Sequence, residues 1–383
     1  MNSHKIKKNL GETTNQISAI GLGTGDFFWN SKLTNTQKVE LIRLAIEKGI
    51  NIVDTAEEYG NGASEIIVGE ATQDIRDQVF LSSKFSPQHH RYDDVLRSCD
   101  TSLKRLKTDF IDIYQIHWPN PAISLKETTE ALKKLHEDGK IRAIGISNYS
   151  LVEIKKVIEY LEGVPLSSLQ MEYNLFERTI ENNGILGFCE DNKISLLAYS
   201  PLDQGQMSVI SPHRKALLLD IAKKYDKLLH QIILNFLINR SPVVTIMRTT
   251  SKKHLLQNIQ AMKFKLSKND IISIEKAFPI EYYNIPVNRI KVSMSGEWDH
   301  KVYQTLEQAI ENKLGFTPSP KDLAESIKES EYLKPVRLKR STDPNSNQDF
   351  ELVGGRIRYW AWVIAHGNNC PDIPAYIRGN YTN

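Results

Sequence analysis

The residues whose side chains are best suited to take part in a reaction lie where three apolar, β-type runs end. Asp54 is the second-to-last residue of INIVDT, Lys84 ends VFLSSK and His117 ends DFIDIYQIH. Tyr59 follows Asp54 by five residues in DTAEEYG. A tyrosine is a weak acid, with a usual pKa of about 10, and a neighbouring ammonium lowers that pKa. With an aspartate to hold the lysine charged and a histidine to polarise a substrate oxygen, the four residues predict a proton donor for carbonyl reduction.

Each of these residues also has a plainer interpretation. Asp54 could cap the helix that follows it, and Tyr59 could serve packing alone. Lys84 could be a solvated charge, and His117 could be a structural histidine before Trp118 and Pro119. The coincidence of all four on neighbouring elements favours the joint functional interpretation.

The pattern that would bring these residues together is an alternation of strands and helices. Eight short apolar runs, the first over residues 17–25, are each followed by a helical pattern up to about residue 280, and HKIKKNLGETTNQ before them predicts a short hairpin. Such alternation predicts an α/β fold with a parallel sheet, here a (β/α)8 TIM barrel whose strand ends share one mouth. An open doubly wound sheet is the competing fold, but GLGTG does not fit its G-x-G-x-x-G turn.

After about residue 280 the rhythm changes. A mixed helical stretch, the basic run KPVRLKR, a polar loop and ELVGGRIRYWAWVIAHG follow one another. We therefore expect two domains, a barrel over 1–280 and a small α+β domain over 281–383.

Composition excludes several classes of protein. The net charge of +3 over 383 residues demands neither nucleic acid nor an anionic membrane. The N-terminus lacks the apolar core of a signal peptide, and no stretch approaches the roughly 18–20 apolar residues of a membrane span. Cys99, Cys189 and Cys370 show no metal-ligand spacing and predict free thiols. We expect a cytoplasmic protein with no metal site.

Residues 1–280 resemble the aldo-keto reductase family. The resemblance is carried by GLGTG, NIVDTAEEYGNGASEIIVGEA, LSSK, DFIDIYQIHWP, GKIRAIGISNY, QMEYN, LLAYSPL and TSKKHLLQNI. It implies NAD(P)H-dependent reduction of an aldehyde or ketone to an alcohol, or the reverse. It also implies that Tyr59 is the acid, that Lys84 and Asp54 tune it, and that His117 orients the carbonyl.

The same resemblance implies a cofactor site. Ser147, Asn148 and Gln170 match the positions that hold the nicotinamide carboxamide, and Tyr199 matches the aromatic residue that stacks on its ring. Tyr199 could instead be core packing. Gly23 lies at the end of the first strand, and Ser200 and Leu202 would line the pyrophosphate path.

The last barrel loop departs from the family pattern. Arg248-Thr249-Thr250 stands where many relatives have a Gly-Ala-Ser type turn, so Arg248 could add a charge or block close approach of the backbone. Backbone amides at the start of the next helix can still bind phosphate. The positions that match contacts to the adenosine part are Ser251, Lys252, His254, Gln257 and Asn258. Their positive charge favours NADP over NAD.

Aromatic residues are predicted to line the substrate pocket. Phe27, Phe28, Trp29 and Trp118 would suit a small-molecule carbonyl substrate with an apolar or flat part. Trp118 could equally pack beneath the loops.

The C-terminal residues 283–378 are similar to the ParB-like and sulfiredoxin-like fold. In VGGRIRYWAW a glycine turn, Gly354-Gly355, feeds a helix with Arg356 and Arg358, which suits phosphate. Arg356 stands at the catalytic cysteine position of sulfiredoxins, so that activity is not expected. The domain could bind a nucleotide, or could only pack or mediate dimer formation; DNA binding is disfavoured. A redox-sensing regulatory protein is the alternative to an enzyme.

Overall fold

The computed structural model describes residues 6–25, 27, 31–203, 210–280, 282–292, 302–330, 333–341 and 348–378. The chain divides into two compact units. The first extends to Phe278, and the second is formed mainly by residues from Pro279 onward. The sequence placed this boundary between residues 280 and 281.

An antiparallel hairpin precedes the barrel. Its strands are β1 (Lys7–Asn9) and β2 (Gln16–Ser18), as the sequence predicted. The predicted first strand over 17–25 is wrong, however, because it is divided between the hairpin and the barrel. The chain bends at Ala19, where the Ser18 hydroxyl donates to the Ile20 carbonyl at 2.7 Å.

Eight parallel strands then form a closed barrel in which the last strand pairs with the first. This confirms the predicted (β/α)8 architecture. The strands are β3 (Ile20–Gly23), β4 (Ile52–Asp54), β5 (Phe80–Phe85), β6 (Ile113–Ile116), β7 (Ile144–Ser147), β8 (Leu166–Glu172), β9 (Ser195–Tyr199) and β10 (Val243–Arg248).

Helices cover the outside of the barrel, and side-chain caps define where several begin. Thr34 and Ser150 each form a capping box, which satisfies amide groups that the first turn leaves unpaired. The helices of this unit are Asn35–Glu47, Ala63–Thr72, Tyr92–Leu106, Leu125–Glu137, Leu151–Tyr160, Thr179–Asn182, Ile185–Asp191, Pro212–Tyr225, Leu229–Ile238, Lys252–Ile259 and Lys268–Ala277.

The hairpin packs against side chains inside the barrel at the amino ends of the strands. Leu10 and Ile17 share a buried cluster with Ile52 and Ile113. Gly11 adopts a positive φ of 57°, and a Cβ there would lie 3.0 Å from the Ser167 Cα atom. This close approach requires glycine.

The second unit is a small α+β arrangement. Its strands are β11 (Tyr283–Ile285), β12 (Ile290–Lys291), β13 (Val336–Arg340), β14 (Phe350–Gly354) and β15 (Ile373–Arg378), and its helices are Leu306–Ile310, Pro320–Ser330 and Arg356–His366. The five strands form one sheet in the order β11-β15-β13-β14-β12. Trp360, in the last helix, donates from Nε1 to the Tyr303 carbonyl at 2.9 Å.

The basic run KPVRLKR contains the central strand β13. Val336 and Leu338 are buried, whereas Arg337 and Lys339 are partly exposed. This alternation is typical of a strand with one covered face, so the run is a structural element and not only a charged surface.

Among the described residues, none of the helices combines the length and apolar character that crossing a membrane would require.

Candidate active site

The closed parallel barrel brings the carboxyl ends of its strands to one rim, which we call the mouth. Asp54 ends β4, Lys84 is the second-to-last residue of β5, and His117 directly follows β6. Ser147 ends β7 and Tyr199 ends β9. Residues that are far apart in the sequence therefore surround one space.

Lys84 and Asp54 form a buried ion pair at the mouth. Lys84 Nζ lies 2.6 Å from Asp54 Oδ2 and also donates to the Thr55 carbonyl at 2.7 Å. The Lys84 side chain is fully buried. Burial alone would lower the pKa of Lys84, but Asp54 and then Tyr59 outweigh it and raise the pKa. Lys84 is therefore an ammonium group in the neutral range.

The second carboxylate oxygen of Asp54 is held by three side chains. Oδ1 accepts from Ser82 Oγ at 2.8 Å and from Gln170 Nε2 at 3.0 Å, and Gln115 Nε2 lies at 3.5 Å. Gln115 also donates to Ser82 Oγ at 2.8 Å. These contacts fix the carboxylate on which Lys84 depends.

The sequence analysis missed Ser82 and Gln115. A signal was present, because Ser82 lies two residues before Lys84 and Gln115 lies two residues before His117. Alternate residues of a strand share a face, so both positions point the same way as the predicted site residues.

Tyr59 lies against the Lys84–Asp54 pair. Lys84 Nζ is 5.1 Å from the centre of the Tyr59 ring, and the rings of Tyr59 and His117 meet edge to face at 5.6 Å. The sequence predicted that the Lys84 ammonium lowers the pKa of Tyr59, and Lys84 does so, but it is not the dominant effect. Burial raises the pKa of Tyr59 more than Lys84 lowers it, and Asp54 adds to the rise. The phenol stays protonated at neutral pH, as a proton donor must be.

His117 completes the group of four. Its Nδ1 atom lies 2.7 Å from Glu58 Oε2, although no well-aligned hydrogen bond is made. Burial lowers the pKa of His117, Glu58 opposes this, and the net pKa is below its usual value. The ring is therefore neutral at neutral pH. Glu58 was not identified from the sequence, and its place directly before Tyr59 was the available signal.

The residues predicted to hold the nicotinamide form a hydrogen-bonded group on the next strands. Tyr199 Oη donates to Asn148 Oδ1 at 2.9 Å, and Asn148 Nδ2 donates to Ser147 Oγ at 2.8 Å. Asn148 has a φ of 67° and its amide donates to the Gln170 carbonyl at 3.0 Å. The structure thus brings Ser147, Asn148, Gln170 and Tyr199 together beside the Asp54 carboxylate.

Gly23, Ser200 and Leu202 lie at the ends of the strands that flank β10 or just beyond them. A Cβ on Gly23 would approach Ile246 Cγ2 at 3.0 Å and Arg248 Cγ at 3.2 Å. Ser200 has a φ of 51°, and its carbonyl accepts from Asn174 Nδ2 at 3.2 Å. Leu202 is half-buried.

The unusual last loop begins at Arg248, a half-buried residue whose charge lowers the pKa of Tyr59 against the dominant effect of burial. Thr249 Oγ1 accepts from the Ser251 amide at 3.1 Å. Ser251 caps the helix Lys252–Ile259 by accepting from the His254 amide at 3.3 Å. The first turn of this helix contains no acidic residue, which suits a phosphate group.

The remaining cofactor positions follow along this helix. Lys252 Nζ pairs with Glu40 Oε2 at 2.9 Å in an exposed ion pair, and His254 is exposed. Gln257 is half-buried and Asn258 is buried. Thr250, between the strand and the helix, is half-buried.

The predicted substrate pocket is described only in part. Phe28 and Trp29 lie outside the described residues. Trp118 is 43% exposed and its ring stacks near that of His117 at 6.3 Å, whereas Phe27 is 1% exposed and belongs to the core.

In the second unit, the predicted phosphate site lies where β14 meets the helix Arg356–His366. Gly355 has a φ of 82° and forms the start of this helix together with Gly354. Arg358 Nη1 donates to the carbonyls of Lys334 and Pro335 at 2.8 and 3.2 Å. Arg356 is half-buried in the first turn.

Comparison with known proteins identifies the first unit. The family model "Aldo/keto reductase family" matches residues 19–278. The chain is 40% identical over 213 residues to the aldo-keto reductase YhdN of Bacillus subtilis (strain 168), a match that covers 52% of this chain and 63% of that relative. It is 32% identical over 269 residues to the glyoxal reductase of the same bacterium, covering 70% of this chain and 92% of that protein.

A solved structure agrees with these matches. The aldo/keto reductase from Klebsiella pneumoniae, crystallised in complex with NADP and acetate, superimposes with a TM-score of 0.64 at 31% identity, covering 73% of this chain and 97% of that chain. The barrel, the group of four residues at its mouth and these matches agree, and the chain belongs to the aldo/keto reductase family of oxidoreductases.

Proposed function

We propose that this protein is an NADP-dependent carbonyl reductase that converts a small aldehyde or ketone to an alcohol, and that also catalyses the reverse oxidation. The observation that carries the proposal is the fully buried Lys84 ammonium, held by Asp54 at 2.6 Å, with its Nζ atom 5.1 Å from the centre of the Tyr59 ring. No structural role requires an ionised lysine to be buried beside a phenol, and desolvating a charge is costly.

When bound, the cofactor supplies the hydride that adds to the carbonyl carbon. The oxygen becomes negatively charged as the hydride adds, and the Tyr59 hydroxyl donates its proton to that oxygen. The phenolate left behind is stabilised by Lys84, which Asp54 holds in place. Tyr59 then regains a proton from water. His117, whose ring contacts that of Tyr59, orients the substrate oxygen.

The donor groups at the mouth fit a nicotinamide dinucleotide. Ser147, Asn148 and Gln170 offer small polar groups for the carboxamide, and Tyr199 offers a ring for stacking. At the other end, the helix that begins after Ser251 presents backbone amides, with Arg248, Thr249 and Thr250 before them. Lys252 and His254 favour a cofactor with a 2′-phosphate, so NADP is preferred over NAD.

The substrate is a small-molecule carbonyl compound. The exposed Trp118 ring beside His117 offers a flat wall, to which Phe28 and Trp29 would add. The glyoxal reductase to which this chain is similar acts on a small aldehyde by name, which makes such compounds the first to test.

For the second unit, we infer a ParB/sulfiredoxin-like domain that binds a nucleotide or another phosphate ester. The positive φ of Gly355 lets the backbone approach a phosphate, and Arg356 and Arg358 supply guanidinium groups in the first turn. The relatives described above are reductases by name, which gives the regulatory alternative no support.

The function is tested by titrating the full chain with NADPH and then with NADH while tryptophan fluorescence is followed. We expect tighter binding of NADPH, and oxidation of NADPH when glyoxal or another small aldehyde is added. If neither reduced cofactor binds, Arg248 has disabled the site and the reductase proposal fails. Titration of the NADPH-saturated chain with ATP tests the second unit, and unchanged fluorescence and heat of mixing would remove that proposal.

A further inference from the structure

Two consecutive glutamates follow β4, and each lies against a histidine. Glu57 Oε1 is 2.7 Å from His89 Nδ1, and Glu58 Oε2 is 2.7 Å from His117 Nδ1. The surroundings differ, because the side chain of His89 is 46% exposed and that of His117 is 11% exposed. The His117 ring also contacts Tyr59. The Glu58–His117 pair therefore bears directly on the reacting groups.

We propose that Glu58 is a positioning residue that determines which ring nitrogen of His117 carries the proton and serves as the counter-ion when both nitrogens do. This inference rests on the proposed reductase function and assigns to Glu58 a role in the direction of the reaction.

The argument begins with the chemistry of the imidazole. A neutral ring has one donor nitrogen and one acceptor nitrogen. A carboxylate beside Nδ1 favours the proton on Nδ1, which leaves Nε2 as an acceptor. An acceptor can bind the hydroxyl of an alcohol but cannot donate to a carbonyl oxygen. Donation from Nε2 requires a second proton, and Glu58 neutralises the charge that this proton brings.

The two directions of reaction would therefore use different protonation states of His117. Reduction is favoured by the doubly protonated ring, and oxidation by the neutral ring that carries its proton on Nδ1, the nitrogen beside Glu58. Reduction should weaken as the pH rises through the pKa of His117, while oxidation should strengthen over the same range.

The charges around the pair determine the sign of the effect. Burial lowers the pKa of His117, Lys84 lowers it further, and Glu58 and Asp54 raise it. For Glu58, burial raises the pKa, but His117, Lys84 and His89 outweigh it and the net pKa is lowered. Glu58 is thus ionised at neutral pH, and removing its charge should lower the pKa of His117 further.

The test compares Glu58→Gln with the matched control Glu57→Gln in the full-length enzyme. We measure kcat/KM for aldehyde reduction and for alcohol oxidation as a function of pH. In Glu58→Gln the midpoints of the pH profiles for reduction and for oxidation should both move about one pH unit or more to lower pH. This is the effect expected from loss of an opposite charge in contact. Glu57→Gln should leave the midpoint within experimental error of the wild type.

A second measurement does not depend on turnover. The ¹⁵N shifts of histidine rings, followed by NMR in the NADP-bound protein, report the protonated nitrogen, and loss of one signal in His117→Asn identifies His117. We expect an Nδ1 proton in the wild type and in Glu58→Asp, and loss of that preference in Glu58→Gln. An unprotonated Nδ1 in the wild type, or equal shifts in both Gln variants, would overturn the proposal. If wild type turns over none of the aldehydes tested, the reductase function fails, while the NMR titration still decides the role of Glu58.

Discussion

The two ends of the barrel both carry a buried aspartate with cationic partners, but the partners are arranged differently. At the mouth, Asp54 holds Lys84. At the amino end, Asp112 precedes β6 and accepts from Arg76 Nη2 at 2.6 Å, from Arg142 Nη1 at 3.2 Å and from the Leu81 amide at 2.9 Å. The residue types are similar, and their surroundings decide what each cluster can do.

In the amino-end cluster, the charged groups contact one another and an aromatic ring. Both guanidinium groups also pack on the ring of Phe110, at 4.1 Å for Arg76 and 3.5 Å for Arg142. At the mouth, by contrast, the Lys84 ammonium also lies beside the Tyr59 phenol, which can give up a proton. The Asp112 cluster therefore stabilises the barrel at its amino end, whereas the Lys84–Asp54 pair supports chemistry at the mouth.

The largest expected effect is at the mouth. Lys84→Met removes the cation and leaves the Asp54 carboxylate buried without it. We expect the free energy of unfolding to fall by about 3–5 kcal/mol, since one partner of a buried pair is lost, and turnover to fall below detection. Urea unfolding followed by circular dichroism gives the first quantity. Unchanged stability would mean that the pair is not buried as described.

Asp112→Asn tests the other end. Loss of the charge weakens the bonds to Arg76 and Arg142, and the free energy of unfolding should fall by about 2 kcal/mol. The kcat should stay within twofold of wild type at a temperature where the variant is folded. A large loss of kcat in the folded variant would contradict a purely structural role for the Asp112 cluster.

A third prediction separates structural from reactive histidines near the mouth. Burial lowers the pKa of His90 to about 4. Because its folded pKa lies below the unfolded value, the unfolded state binds more protons, and stability is lost as pH falls from about 6.5 towards 4. The loss between pH 7 and 5 should be on the order of 2 kcal/mol. His90→Gln should remove this contribution to the pH dependence of the unfolding free energy. Substitution of the half-exposed neighbour, His89→Gln, should leave it in place.

The smallest effect concerns cofactor choice. Lys252 forms an exposed ion pair with Glu40 at 2.9 Å, so its contribution is modest. Lys252→Gln should weaken NADPH binding about threefold and leave NADH binding unchanged, whereas Glu40→Gln should strengthen NADPH binding slightly. Equal changes for both cofactors would show that Lys252 does not face the 2′-phosphate.

The sequence predicted the barrel and the meeting of Tyr59 with the residues of neighbouring strand ends at its mouth, because strand ends in a parallel barrel must converge, whatever their separation in the chain. It predicted that Lys84 lowers the pKa of Tyr59 but not that burial outweighs this effect, because burial depends on the packing of the whole mouth. Ser82 and Gln115 were missed because a polar residue within a strand looks like any other until its partner is known. The bend at Ala19 is accompanied by a hydrogen bond from the Ser18 hydroxyl, which the pattern of hydrophobic residues does not predict.

We propose that a hydride is added to the carbonyl carbon of the substrate at the mouth and that Tyr59 supplies the proton. The most direct test is a single-turnover reduction of small aldehydes, glyoxal among them, with NADPH deuterated at each C4 position in turn. We expect one deuterium on the carbinol carbon of the product from one of the two labelled cofactors. Tyr59→Phe should bind NADPH normally yet form product at least about 10³-fold more slowly. Unlabelled product, or equal rates in the variant, would contradict the account.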